Sequence, residues 1–223
     1  MAAKRQKQPK KISKVNVAVA LLALAVCAVG IFKFYQQSRA GMKVDALAFE
    51  RMKGDPAAKA KIAEFIDFQC PSCAEGARIL RSFMKNYPDL LQVEMKYFPL
   101  QGHRHGMLSA LYAECAARQE KFWPMHDKLI DFQDQWSRLA DARPAFDLYA
   151  EEVGLEMSRL RSCLGSDEAA AYINGNKEEG LALGIRSTPS YVIDGKLVVG
   201  TKSLQEFLGK ITAAPSSGPA NGY

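Results

Sequence analysis

The sequence predicts an α/β domain in which a block of helices interrupts the strands. An apolar run at residues 61–69 leads into a Cys-Pro-Ser-Cys tetrapeptide and then into an amphipathic helix that ends at Pro88. Alternating side chains at residues 90–100 indicate a second strand. Near the C-terminus, two short apolar runs flank Asp194-Gly195, a dipeptide typical of two-residue hairpins.

The helical block lies between the second strand and the hairpin. Helical spacing extends from residue 107 to residue 164, with breaks expected near Pro124 and Pro144. Residues 167–183 predict one more helix before the hairpin. We therefore expect a helical insertion over about residues 103–165.

The chain after the hairpin contains one more helix and a tail. Ser203 and Glu206 predict a capping box for a helix that ends near Ile211. Residues 213–223 are rich in Pro, Ser, Gly and Ala, a composition that predicts disorder. The folded domain is expected over residues 58–212.

The positive charge of the chain is concentrated at its N-terminus. Residues 1–14 contain six lysines and arginines and no acidic residue, while the whole chain has a net charge of +6. The remainder is therefore close to neutral and gives no indication of nucleic-acid binding. We interpret residues 1–14 as a basic cytoplasmic tail.

A membrane anchor is predicted directly after this tail. Residues 15–32, Val15 to Phe32, are uncharged, and their length is close to the roughly 20 residues that span a bilayer. The basic flank predicts a single-pass protein of the inner (cytoplasmic) membrane, with its N-terminus in the cytoplasm and its domain periplasmic or extracellular. Cys27 is interpreted as an apolar residue of this span, and residues 33–57 as a juxtamembrane stalk. A cleaved signal peptide is the alternative, and either one delivers the domain to an oxidising compartment.

The tetrapeptide predicts a reactive dithiol. Cys70 and Cys73 lie three positions apart in a first helical turn, which places the two sulfurs within disulfide reach. The helix N-terminus favours the thiolate form, so the pair is expected to react rather than to act as a passive crosslink. The alternative, half of a zinc site, needs a second closely spaced pair of ligands, and the sequence has no second Cys-x-x-Cys.

Four segments in order resemble the DsbA-like thiol-disulfide oxidoreductases. They are Glu64-Phe-Ile-Asp-Phe-Gln-Cys-Pro-Ser-Cys73, Phe98-Pro-Leu100 with His103-Arg-His105, Glu114-Cys-Ala116 through Lys121-Phe-Trp123 with His126-Asp127, and Leu183-Gly-Ile-Arg-Ser-Thr-Pro-Ser-Tyr-Val-Ile-Asp-Gly195. The resemblance covers about residues 54–211. It implies a thioredoxin-like fold with a helical insertion, here preceded by a single N-terminal transmembrane helix.

The resemblance implies roles for the residues of the tetrapeptide. Cys70 is expected to be the exposed nucleophile that forms a mixed disulfide with a client protein, and Cys73 the buried resolving thiol. Pro71 and Ser72 are expected to tune the stability of the thiolate, although Pro71 also fits ordinary chemistry at the first position of a helix.

Two further positions acquire roles from the same resemblance. Thr188-Pro189 is expected to be a cis-proline loop beside the cysteines that binds an extended client chain; a trans turn is the alternative. Glu64 is expected to be a buried acid that relays the Cys73 proton. An exposed strand carboxylate is the alternative for Glu64, and Asp67 competes for the role.

The other cysteines and the histidines suggest weaker sites. Cys115 and Cys163 form an even pair in an oxidising compartment, which favours a structural disulfide over two buried apolar cysteines. His103 and His105 have a metal-ligand spacing, but without nearby partners they are better explained by packing or solvent contact, and no metal is expected.

The sequence therefore predicts a membrane-anchored oxidoreductase that forms disulfides in secreted or envelope proteins. Client proteins with free thiols or disulfides are the expected partners, and the redox-active Cys70–Cys73 disulfide takes the place of a cofactor. The resemblance also implies a membrane redox partner, linked to quinones, that reoxidises the dithiol. Three alternatives remain open: a reductase or isomerase fed by a membrane electron donor, a copper-delivery module, and a binding domain with an incidental disulfide.

Overall fold

A five-stranded mixed sheet is the centre of the domain. The protein is represented by a computed structural model, and the structure describes residues 48–213. The strands are β1 (Met52–Gly54), β2 (Ala60–Ile66), β3 (Leu91–Tyr97), β4 (Ser190–Ile193) and β5 (Lys196–Val199). Their order in the sheet is β1-β3-β2-β4-β5, and β2 and β3 are parallel while all other neighbours are antiparallel.

Eight α-helices connect and cover the strands in the described part of the chain. They are α1 (Pro71–Asn86), α2 (Gly106–Ala117), α3 (Phe122–Asp131), α4 (Gln133–Trp136), α5 (Arg143–Glu152), α6 (Met157–Leu164), α7 (Asp167–Ala182) and α8 (Gly200–Ala213). A short 3₁₀ helix, Ala48–Arg51, precedes β1. Helices α2 to α6 form the predicted insertion between β3 and α7.

The alternation of β2 places its side chains in different cores. Ile62 belongs to a cluster formed with α1 and α8, through Leu80 and Leu204. Ile66 lies on the same face of the strand and packs into the larger cluster that fills the insertion. Phe65, on the opposite face, packs edge-to-face against Phe98 with ring centroids 6.4 Å apart. Side chains on one face of β2 thus belong to two different hydrophobic clusters, with Ile62 in one and Ile66 in the other.

The predicted order of elements is confirmed. The strand before the tetrapeptide, the helix after it, the second strand, the helical block and the hairpin all occur in the expected sequence. Asp194 and Gly195 both have positive φ, at 48° and 80°, as a two-residue hairpin turn of the mirror-image type requires.

The predicted start of the folded part is too late. We expected a stalk as far as residue 57, but β1 already pairs with β3 at Met52–Gly54. Arg51 is 1% exposed, and its guanidinium lies 3.0 Å from the Glu114 carboxylate in α2. This buried ion pair fixes the beginning of the domain to the insertion, an interaction between distant residues that composition does not reveal.

The helix breaks also differ from expectation. Pro124 lies inside the first turn of α3 and Pro144 is the second residue of α5, so neither one breaks a helix. Proline is tolerated at these positions because the first-turn N–H groups have no partner within the helix. Ser203 and Glu206 form no capping box, because α8 begins at Gly200, directly after β5.

Several predictions concern residues outside the described range. The basic tail, the anchor at residues 15–32, the first part of the stalk and residues 214–223 belong to this group. Among residues 48–213, no helix has the length and apolar character needed to cross a membrane.

Candidate active site

The two cysteines lie at the N-terminus of α1. Cys70 is the residue that precedes the helix, and Pro71 occupies its first position, where a missing N–H costs nothing. The Cys73 N–H donates to the Cys70 carbonyl at 3.0 Å and closes the first turn. Cys70 is 8% exposed and Cys73 is fully buried, so a partner can reach only the first thiol.

The two thiols differ strongly in acidity. The pKa of Cys70 is lowered from 9.0 to about 5. The main cause is the hydrogen bond from the Cys73 thiol, and the backbone N–H groups of Ser72 and Cys73 lower the pKa further. Burial acts in the opposite direction and raises it. Burial raises the pKa of Cys73 well above its ordinary value, and the neighbouring Cys70 raises it further. Cys70 is thus the thiolate at neutral pH, and Cys73 retains its proton.

Thr188 lies beside the Cys70 thiol, which is buried and not exposed as expected, although it is the more accessible of the two. The Thr188-Pro189 peptide bond is cis, as the resemblance implied. The Cys70 sulfur lies 3.4 Å from the Thr188 carbonyl oxygen. The hydroxyl of Thr188 is buried and has no hydrogen-bond partner within the described part of the chain. The loop therefore borders the nucleophile and presents backbone beside it.

Glu64 is buried on the face of β2 that points towards α1. It is 1% exposed, and burial raises its pKa to about 8, an effect that the nearby Tyr191 hydroxyl offsets only in part. Glu64 and Tyr191 are register partners across β2 and β4. The alternative of an exposed strand carboxylate is wrong, because the two-residue period of β2 places Glu64 on the same side as Ile62 and Ile66.

Tyr191 is a site residue that the sequence analysis missed. Burial raises its pKa, and so do the nearby Glu64, Cys73 and Cys70 groups, so its hydroxyl is influenced by both the acid and the dithiol. Gly76, one turn after Cys73, makes this position possible, because a Cβ there would lie 2.3 Å from the Tyr191 hydroxyl oxygen. The position of Tyr191, two residues after Pro189, was the only available signal.

Asp67 has a structural role that excludes it as the relay acid. One carboxylate oxygen accepts from the Gln69 N–H at 2.7 Å. The other accepts from the Leu100 N–H at 2.7 Å and lies 2.8 Å from His103 Nδ1. Both oxygens of the Asp67 carboxylate are therefore occupied by contacts that hold the loop before the cysteines against the loop after β3. Glu64 is the acid that remains available for proton transfer.

Gln133 also escaped the sequence analysis. Its side-chain amide donates to the Phe68 carbonyl at 2.6 Å and to the Cys70 carbonyl at 2.9 Å, and the residue is buried. Gln69 reaches in the opposite direction, to the Ser137 carbonyl at 2.9 Å. These bonds join the loop before α1 to α4, so the insertion helps to position Cys70. Nothing in the sequence distinguishes Gln133 from other glutamines.

The two histidines near α2 are occupied by hydrogen bonds within the fold. His103 contacts Asp67, and His105 Nε2 lies 2.8 Å from the Leu139 carbonyl. Over residues 48–213, no three His, Cys, Asp or Glu side chains are grouped as metal ligands. The arrangement accounts for both histidines by packing and hydrogen bonding.

Cys115 and Cys163, the pair expected to be bonded, form a disulfide that joins α2 to α6. The two residues are separated by 48 positions in the sequence. Cys115 is fully buried and Cys163 lies at the edge of the insertion core. This second pair contributes no group to the surroundings of Cys70.

Comparison with known families identifies the domain. A family model described as thioredoxin matches residues 48–213. The chain belongs to this thioredoxin family. The match spans the whole described range, including the helical insertion and the 3₁₀ helix before β1.

Solved structures establish the same fold. Wolbachia pipientis alpha-DsbA1 superposes with a TM-score of 0.62 at 22% identity, covering 73% of this chain and 88% of that one. The catalytic domain of Proteus mirabilis ScsC gives 0.61 at 20% identity, covering 80% and 96%. A thioredoxin-like oxidoreductase from Silicibacter pomeroyi gives 0.59 at 24% identity, covering 73% and 92%. The chain therefore has a thioredoxin-like fold with DsbA-like structural neighbours.

Curated relatives in sequence are much longer proteins. The Na⁺/H⁺ antiporter NhaA 3 of Salinispora tropica is 28% identical over 170 residues, which are 75% of this chain and 25% of the antiporter. The antiporter NhaA of Herminiimonas arsenicoxydans is 26% identical over 152 residues, 68% of this chain and 23% of the antiporter. The chain spans about a quarter of the length of these relatives, so their activity is not a guide to its own.

Proposed function

We propose that the protein is an extracytoplasmic thiol-disulfide oxidoreductase that forms disulfides in secreted or envelope proteins through Cys70 and Cys73. The observation that carries this proposal is the difference in acidity within the pair, with the Cys70 pKa lowered to about 5 and the Cys73 pKa raised. A stabilised Cys70 thiolate favours the reduced state, so the corresponding disulfide is expected to oxidise other thiols readily.

The geometry supports a defined order of bond exchange. A client thiolate attacks the accessible Cys70 sulfur of the Cys70–Cys73 disulfide, and the electron pair of that bond leaves on Cys73. A second client thiol, deprotonated, then attacks the client sulfur of the mixed disulfide and releases Cys70 as a thiolate. The client has lost two electrons and formed a disulfide, and the enzyme holds the dithiol.

Glu64 supports the proton transfers in this sequence. Cys73 leaves as a thiolate but is strongly disfavoured as an anion in its buried position. The Glu64 carboxyl, with a pKa of about 8, is still largely protonated at neutral pH and would supply the proton. The Tyr191 hydroxyl is influenced electrostatically by both Glu64 and Cys73.

Client binding is assigned to the loop before β4. The Thr188 carbonyl lies within hydrogen-bond distance of the Cys70 sulfur, so an extended client chain that reaches Cys70 also meets this backbone. Main-chain pairing of this kind gives affinity without a sequence requirement in the client. The proposal therefore places a broad range of unfolded thiol proteins among the substrates.

The membrane anchor and the redox partner belong to the same proposal. Residues 15–32 would hold the domain at the outer surface of the cytoplasmic membrane. Such tethering would raise the local concentration of the domain near a membrane partner that withdraws electrons from the dithiol.

The test is the reduction potential of the Cys70–Cys73 pair. The full chain, purified in detergent, is equilibrated with glutathione buffers, and the thiols are then trapped by alkylation and counted by mass spectrometry. A potential near about −120 mV, together with oxidation of a peptide that contains two cysteines, supports disulfide formation. A potential near about −270 mV would instead favour a reductase or isomerase fed by a membrane electron donor.

A further inference from the structure

Four buried side-chain atoms of the described residues have no hydrogen-bond partner. Among residues 48–213, the buried side-chain atoms that lack a hydrogen bond are Glu64 Oε1, His126 Nε2, Thr188 Oγ1 and Tyr191 Oη. Buried polar groups are normally hydrogen-bonded, and each exception in a folded protein calls for an explanation. Thr188, Tyr191 and Glu64 already belong to the active site, whereas His126 has no role in the steps described above.

Glu64 and His126 face the same cavity. This cavity is lined by the polar residues Lys53, Glu64, Arg81, His126 and Asp127, together with apolar side chains from β3, α1 and α3. The space open to the centre of a water molecule is about 20 Å³, which is sufficient for about one water. Two of the lining residues, Glu64 and His126, each have a buried polar atom without a partner, and such atoms are the contacts that a buried water needs.

The far side of His126 is fixed by Asp127. His126 Nδ1 lies 2.9 Å from the Asp127 carboxylate, and a carboxylate can only accept, so Nδ1 holds the hydrogen. The other ring nitrogen, Nε2, therefore presents a lone pair to the cavity when the ring is neutral. Burial lowers the pKa of His126, which keeps the ring neutral and available as a proton acceptor.

The route leads from the interior to solvent. Asp127 is about one-third exposed and lies 3.8 Å from the equally exposed Arg81, which marks the mouth of the cavity. His126 itself is held by rings on three sides, with Phe68, Phe122 and Trp123 centroids at 5.7, 5.9 and 5.1 Å. The imidazole is thus a rigid polar link between a buried acid and the surface, on the side of Glu64 away from the client.

We propose that His126 and Asp127 form the proton route between Glu64 and solvent, with one water in the cavity between Glu64 and His126. The inference rests on the proposed oxidoreductase function, because it serves the same dithiol. When Cys73 leaves as a thiolate, Glu64 gives it a proton. Glu64 is then reprotonated through the water by the imidazolium form of His126, which gives up the proton on Nε2 and keeps the one that Nδ1 donates to Asp127. Solvent at the cavity mouth supplies the proton that forms this imidazolium. In the reverse reaction the proton travels outward, and Asp127 stabilises the imidazolium that forms.

The test uses the full chain with His126→Phe, which keeps a ring in the aromatic cluster and removes both nitrogens. His105→Phe is the matched control, since His105 is equally buried and hydrogen-bonded but does not line the cavity. The first measurement is the rate at which a single equivalent of dithiol peptide reduces the Cys70–Cys73 disulfide. We expect His126→Phe to slow this step about tenfold at pH 7, with a larger solvent deuterium isotope effect, while Cys70 alkylation keeps its wild-type rate.

The second measurement does not depend on exchange activity. The C=O stretch of protonated Glu64, identified in the infrared spectrum by its loss in Glu64→Gln, reports whether the acid donates a hydrogen bond. We expect this band to move to higher frequency in His126→Phe and to stay in place in His105→Phe.

Each outcome decides the proposal. A shifted band with slowed exchange in His126→Phe alone supports the route. An unshifted band, a shifted band with an unchanged rate, or equal effects in both variants would overturn it. If the wild-type protein does not exchange disulfides with the peptide, the proposed function is wrong. If, in addition, the infrared band of Glu64 does not shift in His126→Phe, the proposed link between Glu64 and His126 is wrong as well.

Discussion

The domain contains two pairs of cysteines in opposite surroundings. Cys70 and Cys73 lie three residues apart at a helix N-terminus, among buried polar atoms without hydrogen bonds. Cys115 and Cys163 lie 48 residues apart and join two helices of the insertion, where Cys115 packs among apolar side chains. Burial does not distinguish the two pairs, since Cys73 and Cys115 are equally inaccessible, whereas the groups around them differ.

The two pairs also differ in how their surroundings affect stability. The buried acid Glu64 lies in the environment of the Cys70–Cys73 pair, together with polar atoms that have no hydrogen-bond partner. Both features reduce the free energy of unfolding. The crosslinked pair constrains the unfolded chain and adds stability. The insertion thus stabilises a domain whose active site is locally unfavourable.

Replacing the nucleophile gives the largest expected effect. Cys70→Ser removes the only accessible sulfur of the active pair, so disulfide exchange with a dithiol peptide should fall to the uncatalysed rate. The measurement is peptide oxidation followed by thiol quantification. Cys163→Ser, which breaks the other pair, serves as the comparison and should retain exchange. Equal loss in both variants would show that the division between a reactive and a structural pair is wrong.

Glu64→Gln should remove a pH dependence of stability. The pKa of Glu64 is about 8 in the folded chain, and its ordinary value of 4.5 applies to the unfolded chain. Between pH 4.5 and pH 8 the unfolded chain has therefore released a proton that the folded chain keeps. The free energy of unfolding should therefore fall as the pH rises from about 4.5 to about 8, by at most about 5 kcal/mol. The glutamine variant should lack this component and be the more stable protein at pH 8.

Urea unfolding at several pH values measures this effect. Glu94→Gln is the matched control, because Glu94 lies on the neighbouring strand, is partly exposed and pairs with Lys96. It should show the wild-type pH dependence. If the wild-type and Glu64→Gln curves run parallel from pH 5 to pH 8, then Glu64 does not retain its proton in the folded state.

Removing the second pair should affect stability rather than activity. A disulfide that closes a loop of 48 residues constrains the unfolded chain by about 4 kcal/mol in the loop-entropy treatment. Cys115→Ala with Cys163→Ala should lower the free energy of unfolding by about that amount, as measured in urea without reductant. Peptide oxidation at a temperature where the variant is folded should remain within about twofold of wild type. A folded variant without exchange activity would show that the insertion disulfide controls the active site.

Local patterns in the sequence were sufficient to predict much of this arrangement. The alternation of β2, the Cys-Pro-Ser-Cys segment and the Asp194-Gly195 turn each depend on neighbouring residues, and their secondary structure was predicted correctly. The burial of Glu64 was also visible in principle, because it shares the two-residue period of Ile62 and Ile66.

What the sequence did not reveal depends on contacts between distant residues. Gln133 meets the Cys70 carbonyl across 63 positions, and Arg51 meets Glu114 across the same number. Tyr191 acquires its position only when β4 pairs with β2. Gln133 and Arg51 have no local signature, because glutamine and arginine occur widely in proteins, and the only local signal for Tyr191 was its position two residues after Pro189.

The smallest expected effect concerns the bonds between the insertion and the active-site loop. Gln133→Leu keeps the volume of the side chain but removes donors to the carbonyls of Phe68 and Cys70. The loss of these buried bonds should lower the free energy of unfolding by about 1–3 kcal/mol. Because the Cys70 carbonyl also anchors the first turn of α1, a looser loop should weaken the N–H contacts to the thiolate and raise the pKa of Cys70 by less than about one unit.

The pH dependence of Cys70 alkylation by iodoacetamide separates these two effects. Gln135→Leu is the matched control, since Gln135 lies in the same short helix α4 but is exposed. It should change neither the alkylation profile nor the stability. A Gln133→Leu protein that is destabilised but has an unchanged alkylation profile would mean that the insertion only supports the fold. A shifted profile would mean that the insertion, although it contains the inert cysteine pair, also sets the acidity of the reactive one.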